Sequence, residues 1–412
     1  MRLRSFVLPA ALCFGLMIAA PAAAGPSTYS LQDLEEMALK INPNLKKAGE
    51  EIKKSEAELR IAKQYPNPQV EGSVSHEKVI LGDPARGTGY SFAVSQTLEW
   101  PGRRGKRQEA ARFGIEASEK ALSNEQINIR AKVRELFYRL LADAQLTRIA
   151  KENLESGREL LDMVEKRVRV GESRHLELVK ARVEFYTLER EYKKAQITWE
   201  GDRQVLNQFL ADSLGKTFQM TGDLAKLDEV IPLKRWRQAA LTAHPLMAAQ
   251  EATIRQARTT LGAERQAWVP DVTAKFFINN DIDLRGVGGG LSIPIPLWNR
   301  KGGEVARAAA EERQAKHGLQ ALRQELETKL ASQYSLYDAA RRQVETYQKD
   351  ILPQAAESLK IATFSYQQGE TGLLELLDSR RVYRTTEQDY YRALLDYWLA
   401  RVELWRVAGG GV

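Results

Sequence analysis

The stretch Gly-Glu-Thr-Gly-Leu-Leu-Glu-Leu-Leu-Asp at residues 369–378 decides the fold, because the chain carries a second version of it. Residues 171–178, Gly-Glu-Ser-Arg-His-Leu-Glu-Leu, have the same Gly-Glu start and the same Leu-Glu-Leu at the same spacing. The match continues downstream at seven-residue intervals, where Phe185, Tyr192, Trp199 and Leu206 correspond to Tyr383, Tyr390, Tyr397 and Leu404. Asn42-Pro43 and His244-Pro245 correspond upstream. An ordered series at nearly one offset indicates an internal duplication.

Outward from the two glycines, the chain divides into two equivalent units. Each begins with a helical segment, continues with two short strands, and ends with two long helices on either side of its glycine. Gly215, Gly222 and Pro232 mark the break between the units. We therefore expect a first repeat over residues 25–214, a connector over 215–231, a second repeat over 232–408 and a tail over 409–412.

The first 24 residues are expected to be a signal peptide. Arg2 and Arg4 precede an apolar run, and residues 22–24 are three alanines of the kind that signal peptidase recognises. The alternative is a buried N-terminal helix. Cys13, the only cysteine, lies in this segment, so we expect an exported mature chain without disulfides or cysteine metal ligands.

Composition and motifs argue against several classes of function. The chain has 61 basic and 54 acidic residues, and because the charges are interspersed they predict no nucleic-acid surface. No phosphate-binding loop, metalloprotease helix or nucleophile elbow is present. The histidines are scattered along the chain: His76, His175, His244 and His317. We expect no enzyme activity, no cofactor and no resident metal ion.

Each repeat carries two segments in which apolar and polar residues alternate. They cover about residues 70–79 and 89–99 in the first repeat and about 271–279 and 287–296 in the second. Segments of about ten residues with one apolar and one polar face fit a barrel wall between lipid and water. Soluble hairpins packed on a helical core are the alternative. If the strands span the membrane, several chains must pool them, because about eight strands is the smallest common membrane barrel.

The long helical stretches have coiled-coil spacing. Residues 106–170 contain no proline, and Ile129, Val133, Leu136 and Leu140 step by four, three and four. At 1.5 Å per residue, such a helix runs roughly 100 Å. The predicted fold class is mainly α with a small β part. Three chains would supply twelve strands and twelve long helices, so that the coiled-coil helices would form an α-barrel and the four transmembrane strands per chain would complete a 12-stranded barrel in a trimer.

The layout, the repeat glycines and two strand-to-helix junctions resemble the TolC family of outer-membrane efflux factors. The junctions are Thr-Leu-Glu-Trp-Pro-Gly-Arg-Arg-Gly-Lys-Arg at residues 97–107 and Ile-Pro-Ile-Pro-Leu-Trp-Asn-Arg-Lys-Gly at residues 293–302. The first is similar to that of the CzcC-like heavy-metal efflux branch.

The resemblance implies a passive homotrimeric exit duct, with a barrel in the outer membrane and helices in the periplasm. A periplasmic adaptor and an inner-membrane transporter of the resistance-nodulation-division type are the implied partners. Heavy-metal cations are the expected substrate, and drugs or other small solutes are the alternative. A rival from another class is an exported coiled-coil scaffold without a pore.

The two junctions also suggest contacts with outer-membrane lipid. Trp100 and Trp298 would form part of an aromatic girdle where the strands leave the bilayer. Arg103, Arg104 and Arg300 would lie at the level of the lipid headgroups. A solvated basic turn is the alternative.

The repeat glycines Gly171 and Gly369 are expected to form the turns at the periplasmic tip. The resemblance places Glu375 and Asp378 at the pore constriction, where six carboxylates of a trimer would favour cations. A solvated acidic face is the alternative reading. The resemblance also implies a gate hydrogen bond between Tyr366 and Glu177. Thr371 stands where the family has a locking arginine.

Overall fold

The computed structural model describes residues 27–78, 86–215, 217–281 and 285–411. The expected signal peptide and residue 79 lie outside them. Six strands and nine α-helices occur in these ranges, in the order β1 Ser27–Tyr29, α1 Leu31–Ile41, α2 Pro43–Lys63, β2 Gln69–Lys78, β3 Arg86–Leu98, α3 Pro101–Arg169, α4 His175–Phe209, β4 Phe218–Met220, α5 Leu233–Thr242, α6 Pro245–Glu264, β5 Val272–Asn280, β6 Arg285–Ser292, α7 Gly302–Thr346, α8 Leu352–Gln367 and α9 Leu373–Val407. The predicted mainly α fold with a small β part is confirmed.

The helical segment that opens each repeat is broken at its proline. Asn42 ends α1 and caps α2, and its side-chain Oδ1 accepts from the Asn44 N–H at 2.9 Å. His244 does the same before α6, where its Nδ1 accepts from the Leu246 N–H at 3.1 Å. Proline lacks the N–H that a continuing helix would need, so each segment becomes two helices.

The long helices differ between the repeats. Helix α3 is continuous over 69 residues and therefore runs roughly 100 Å. Its counterpart is interrupted by a π-helical turn, Tyr347–Ile351, between α7 and α8. Pro353 follows directly, and its missing N–H and bulky ring disturb the hydrogen bonding of the preceding turn. No helix in the described ranges is both long and apolar enough to cross a membrane.

The main core packs α3 and α9 against α1, α5, α7 and the connector. Tyr397 and Leu404, two of the residues that recur at seven-residue intervals along α9, are completely buried there. The adjacent Trp398 donates from its indole N–H to the Leu224 carbonyl oxygen at 2.9 Å. Strand β1 also reaches the connector, where it pairs in parallel with β4.

The other four strands form one antiparallel sheet in the order β2-β3-β5-β6. The central pair joins the two repeats, with Tyr90 opposite Asn280 and Leu98 opposite Val272. Neither β2 nor β6 has a second partner among the described residues. Strand β3 begins three residues earlier than expected, at Arg86, whereas β6 ends at Ser292 and not at residue 296. Prolines at 294 and 296 cannot donate to a ladder, which explains the shorter strand.

Candidate functional site

The sheet has two chemically different faces. Paired residues of an antiparallel sheet point to the same side, so the register assigns every side chain to a face. On one face, eight large apolar residues are between 45 % and 74 % exposed: Val70, Val74, Tyr90, Phe92, Phe276, Ile278, Val287 and Leu291. A contiguous exposed apolar surface of this kind marks contact with lipid or protein.

Polar side chains on the opposite face bond to one another. The Ser73 and Ser91 hydroxyls lie 2.7 Å apart on the first hairpin. The Lys275 ammonium reaches over β3 to Glu71, with 2.7 Å between Nζ and Oε2. These contacts satisfy polar groups on the side of the sheet that the alternation predicts to face water.

One aromatic residue departs from this alternation. Phe277 lies on the polar face and covers Gly288, where an added Cβ would stand 2.6 Å from the ring Cζ. The glycine run of β6 therefore has a packing role at this position. Sequence reasoning missed it, because only the register places the ring over this glycine.

At the junction where β3 meets α3, the arginines are paired within the protein. Arg103 lies 2.6 Å from the carboxylate of Asp271, and Asp271 also accepts from the backbone N–H of Trp100. Arg104 donates to the Lys63 carbonyl and stacks over Tyr65 at 3.9 Å. The Asp271 carboxylate and the Lys63 carbonyl therefore hold these two arginines. Their place at the level of the lipid headgroups stays a prediction.

The partner junction in the second repeat is more open. Trp298 is 94 % exposed, which is the highest value of any large apolar side chain described, and Arg300 beside it is also exposed. Trp100 is about half exposed. The girdle role of the two tryptophans stays a prediction.

The two repeat glycines lie in identical turns. Gly171 has φ +83° and Gly369 has φ +77°, a left-handed conformation that glycine adopts without steric cost. In each turn the next N–H bonds back across the end of the preceding helix: Glu172 to the Arg167 carbonyl and Glu370 to the Ser365 carbonyl, both at 2.9 Å. This is the Schellman pattern of a helix end.

The acidic pair on α9 contains one free and one paired carboxylate. Glu375 is exposed in the first turn of α9, and no described residue forms an ion pair with it. Asp378, one turn further on, forms a salt bridge with Arg381. The two residues share a helix face, as predicted from their spacing. Because Arg381 places a positive charge beside Asp378 and no such partner lies beside Glu375 among the described residues, Glu375 is the stronger candidate for acting on a passing cation.

The expected hydrogen bond between Tyr366 and Glu177 is absent. Tyr366 is 3 % exposed, and its hydroxyl has no hydrogen-bond partner in the described ranges. Its ring packs among apolar residues of α3, α4 and α9 and lies under the guanidinium of Arg167. Burial raises the pKa of Tyr366, and the negative charge of Glu177 raises it further. Glu177 is therefore an electrostatic neighbour and not an acceptor. The hydroxyl of Thr371 is also buried, with no hydrogen-bond partner in the part of the chain that the structure describes.

Two arginines that sequence reasoning missed connect α9 with the first repeat. Arg384 lies 2.7 Å from Glu184 on α4, and Arg380 donates to the Ser156 carbonyl on α3 at 3.0 Å. Burial lowers the pKa of Arg380. Their four-residue spacing indicates a shared helix face, but their partners lie about 200 positions away in the sequence and give no local signal.

Among the described residues, no group of three or more His, Cys, Asp or Glu side chains is arranged to hold a metal ion. One half-buried carboxylate pair, Asp143 and Asp202, does stand out in the helical part. Burial, together with a hydrogen bond and the charge of Asp202, raises the pKa of Asp143 to about 7. Two carboxyl groups that share a site favour keeping one proton between them.

Comparisons with known proteins agree with this architecture. The sequence pattern of the outer membrane efflux protein family matches residues 34–212 and 236–410. The cobalt-zinc-cadmium resistance protein CzcC of Cupriavidus metallidurans is 26% identical over 390 residues, which cover 94% of this chain and 91% of that protein. The pyoverdine export outer membrane protein OpmQ of Pseudomonas putida is 24% identical over 415 residues, or 92% and 86% of the two chains.

A crystal structure of CusC, described in connection with transmembrane channel formation, superimposes with a TM-score of 0.78 at 23% identity and covers 92% of both chains. The family match takes in most of the chain, and both repeats carry it. The chain therefore belongs to the outer membrane efflux protein family, the TolC-like family of passive outer-membrane channels with a periplasmic helical portion, and it is not an enzyme.

Proposed function

We propose that three copies of this chain form the exit duct of a tripartite efflux pump. The main support for this proposal is a four-stranded sheet that has one exposed apolar face and two edge strands, β2 and β6, each without a second partner among the described residues. Unpaired backbone groups cannot face lipid, so each edge needs a partner strand inside the membrane. Pairing β6 of one copy with β2 of the next closes the sheet. Three chains then supply twelve strands, above the minimum of about eight.

The long helices of the three copies stand on the periplasmic side as an α-barrel. Helix α3 alone, at roughly 100 Å, is much longer than the core of a single domain requires. A chain without a nucleotide-binding motif has no energy source of its own, so it needs a driven partner. We assign that role to an inner-membrane transporter of the resistance-nodulation-division type, joined to the duct by a periplasmic adaptor.

We propose heavy-metal cations as the transported class. The likeness to a cobalt-zinc-cadmium resistance protein over nearly the whole chain supports this choice. The free carboxylate of Glu375 supports it as well, because a ring of three such groups in a narrow opening attracts cations. Export of a small organic solute is the second candidate, since a relative of similar identity is a pyoverdine export protein.

Deletion of the gene in its host, followed by growth on a panel of metal salts and of organic toxins, tests the substrate class. We expect sensitivity to divalent metals, restored by the wild-type gene on a plasmid. Sensitivity to organic compounds alone would replace the metal proposal with the second candidate. Purified protein that never conducts in planar bilayers would instead favour a scaffold without a pore.

A further inference from the structure

One directional contact joins the tips of the two helical hairpins. Arg167, in the last turn of α3, donates from its guanidinium to the main-chain oxygens of Tyr366 and Gln367, each at 3.3 Å. The same guanidinium lies 5.0 Å from the centroid of the Tyr366 ring. The last carbonyls of a helix lack partners within it, and they form the negative end of its dipole. Arg167 therefore supplies donors and positive charge to the end of α8.

The other contacts close to the two turns are apolar, and the next polar contacts between the hairpins are those of Arg380 and Arg384 further along α9. Tyr366 packs in a small cluster with Leu160 and Val164 of α3 and with Leu373 and Leu376 of α9. Apolar packing is not directional, so these side chains tolerate sliding and rotation of one hairpin against the other. Charged hydrogen bonds are directional and stronger than neutral ones. Arg167 is therefore the directional contact between the hairpins that lies closest to the turn at Gly369.

Among the residues that the structure describes, only the first repeat supplies a cation to the tip of the other repeat. The duplication places Ser365 at the position that corresponds to Arg167, so α8 offers no equivalent cation to the end of α3. The ion pair near the first-repeat tip lies within its own hairpin, because Glu165 on α3 pairs with Arg182 on α4 at 3.0 Å. The tip that carries Glu375 is thus held by the first repeat, and no described contact of this kind holds the first tip in return.

We propose that Arg167 is the positioning residue that keeps the second-repeat tip, and with it Glu375, in the narrow state of the channel. This inference deepens the proposed function and rests on it. In this proposal, a ring of Glu375 side chains widens when the tip between α8 and α9 moves away from α3. That movement breaks both hydrogen bonds of Arg167 and separates its guanidinium from the Tyr366 ring.

The experiment compares Arg167→Ala with Arg169→Ala. Arg169 lies two residues further along α3, is exposed, and forms no ion pair or side-chain hydrogen bond with the described residues. The first readout is amide hydrogen exchange at residues 368–371, whose N–H groups bond back to the end of α8. The second is the open probability of single channels in planar bilayers.

We expect Arg167→Ala to raise both the exchange rate and the open probability about tenfold, equivalent to about 1.4 kcal/mol. Arg169→Ala should change neither, and Arg167→Lys should give a smaller rise because it keeps the charge but loses the paired donors. The melting temperature should stay unchanged, which separates a local effect on the tip from general destabilisation.

Equal exchange rates in Arg167→Ala and Arg169→Ala would overturn the inference, whether or not the protein conducts. If Arg167→Ala does not fold, wild-type exchange and gating in Arg167→Lys would overturn it instead. A wild-type protein that never conducts would refute the proposed function, and with it the gating role of Arg167. In that case the exchange data would still test the contact itself.

Discussion

The packing of Phe277 over Gly288 gives a sharp test of the sheet register. In Gly288→Ala the new Cβ would stand 2.6 Å from the ring Cζ and 2.9 Å from Cε2, so the ring must move. Gly290→Ala is a matched control on the same strand and the same face, where an added Cβ meets no atom within 4 Å. The two variants make the same chemical change in different surroundings.

The expected magnitudes follow from these distances. Replacing glycine in a strand with alanine reduces the conformational entropy lost on folding and stabilises by about 0.5–1 kcal/mol. Gly290→Ala should show this gain. Crowding a packed ring costs about 1–3 kcal/mol, so Gly288→Ala should be less stable than Gly290→Ala by that amount. Adding Phe277→Ala should remove the difference, because the side chain that clashes is gone.

Urea unfolding of the purified protein in detergent micelles, followed by tryptophan fluorescence, measures these differences. Two single variants of equal stability would refute the reasoning, because they would show that Phe277 does not cover Gly288. A stability difference between Gly288→Ala and Gly290→Ala that persists after Phe277→Ala is added would also show that Phe277 is not the side chain that clashes.

Two further predictions concern charged groups. Glu375→Gln should lower the cation-to-anion permeability ratio in planar bilayers by about threefold, or ~0.7 kcal/mol. Asp378→Asn should lower this ratio less, because Arg381 already pairs with Asp378. Equal effects of the two variants would contradict the distinction between the two carboxylates. The pKa of Asp143 is raised to about 7 in the folded protein. Below the usual pKa of aspartate, the carboxyl group is protonated in both the folded and the unfolded chain, and its contribution to stability is fully present. As the pH rises to 7, the unfolded chain loses this proton more readily than the folded protein, so that contribution is lost. Asp143→Asn should therefore stabilise the protein at pH 8 by about 1–2 kcal/mol after allowance for solvent screening, and should leave stability at pH 4 unchanged. Thermal unfolding across this pH range checks the prediction, and an equal shift at both pH values would contradict it.

Sequence patterns predicted much of the architecture, because the features concerned are periodic or repeated. Alternation along each strand predicted the apolar and polar faces of the sheet. Phe277 on the polar face and Gln96 on the apolar face are exceptions. The coiled-coil spacing of Ile129, Val133, Leu136 and Leu140 predicted a helical seam, and all four residues are buried. The shared tip motif predicted two similar turns, and Gly171 and Gly369 have nearly the same φ.

Contacts between distant parts of the chain were not predictable in this way. Arg103 meets Asp271, 168 residues away, so a local run of basic residues gave no sign that it is already paired. Arg167 and Tyr366 are separated by 199 positions, and the resemblance directed attention to Glu177 instead. Periodicity shows which side of a helix is buried, but it does not show which helix covers that side.

The central claim, that neighbouring copies close the barrel edge to edge, can be tested by cysteine cross-linking. The chain has one cysteine, inside the expected signal peptide, so the mature protein offers a clean background. Val74 on β2 and Leu291 on β6 lie on the same face at opposite edges of the sheet. Three strand spacings separate these edges, roughly 14 Å, which is too far for a disulfide within one chain.

The measurement is the size of the disulfide-linked products on a denaturing gel after oxidation in native membranes. The variants combine Val70→Cys or Val74→Cys on β2 with Val287→Cys or Leu291→Cys on β6, to scan the register between copies. Edge-to-edge closure of three copies predicts that at least one pair gives linked dimers and trimers and nothing larger. Monomers alone for every pair, or an open series of larger products, would contradict it.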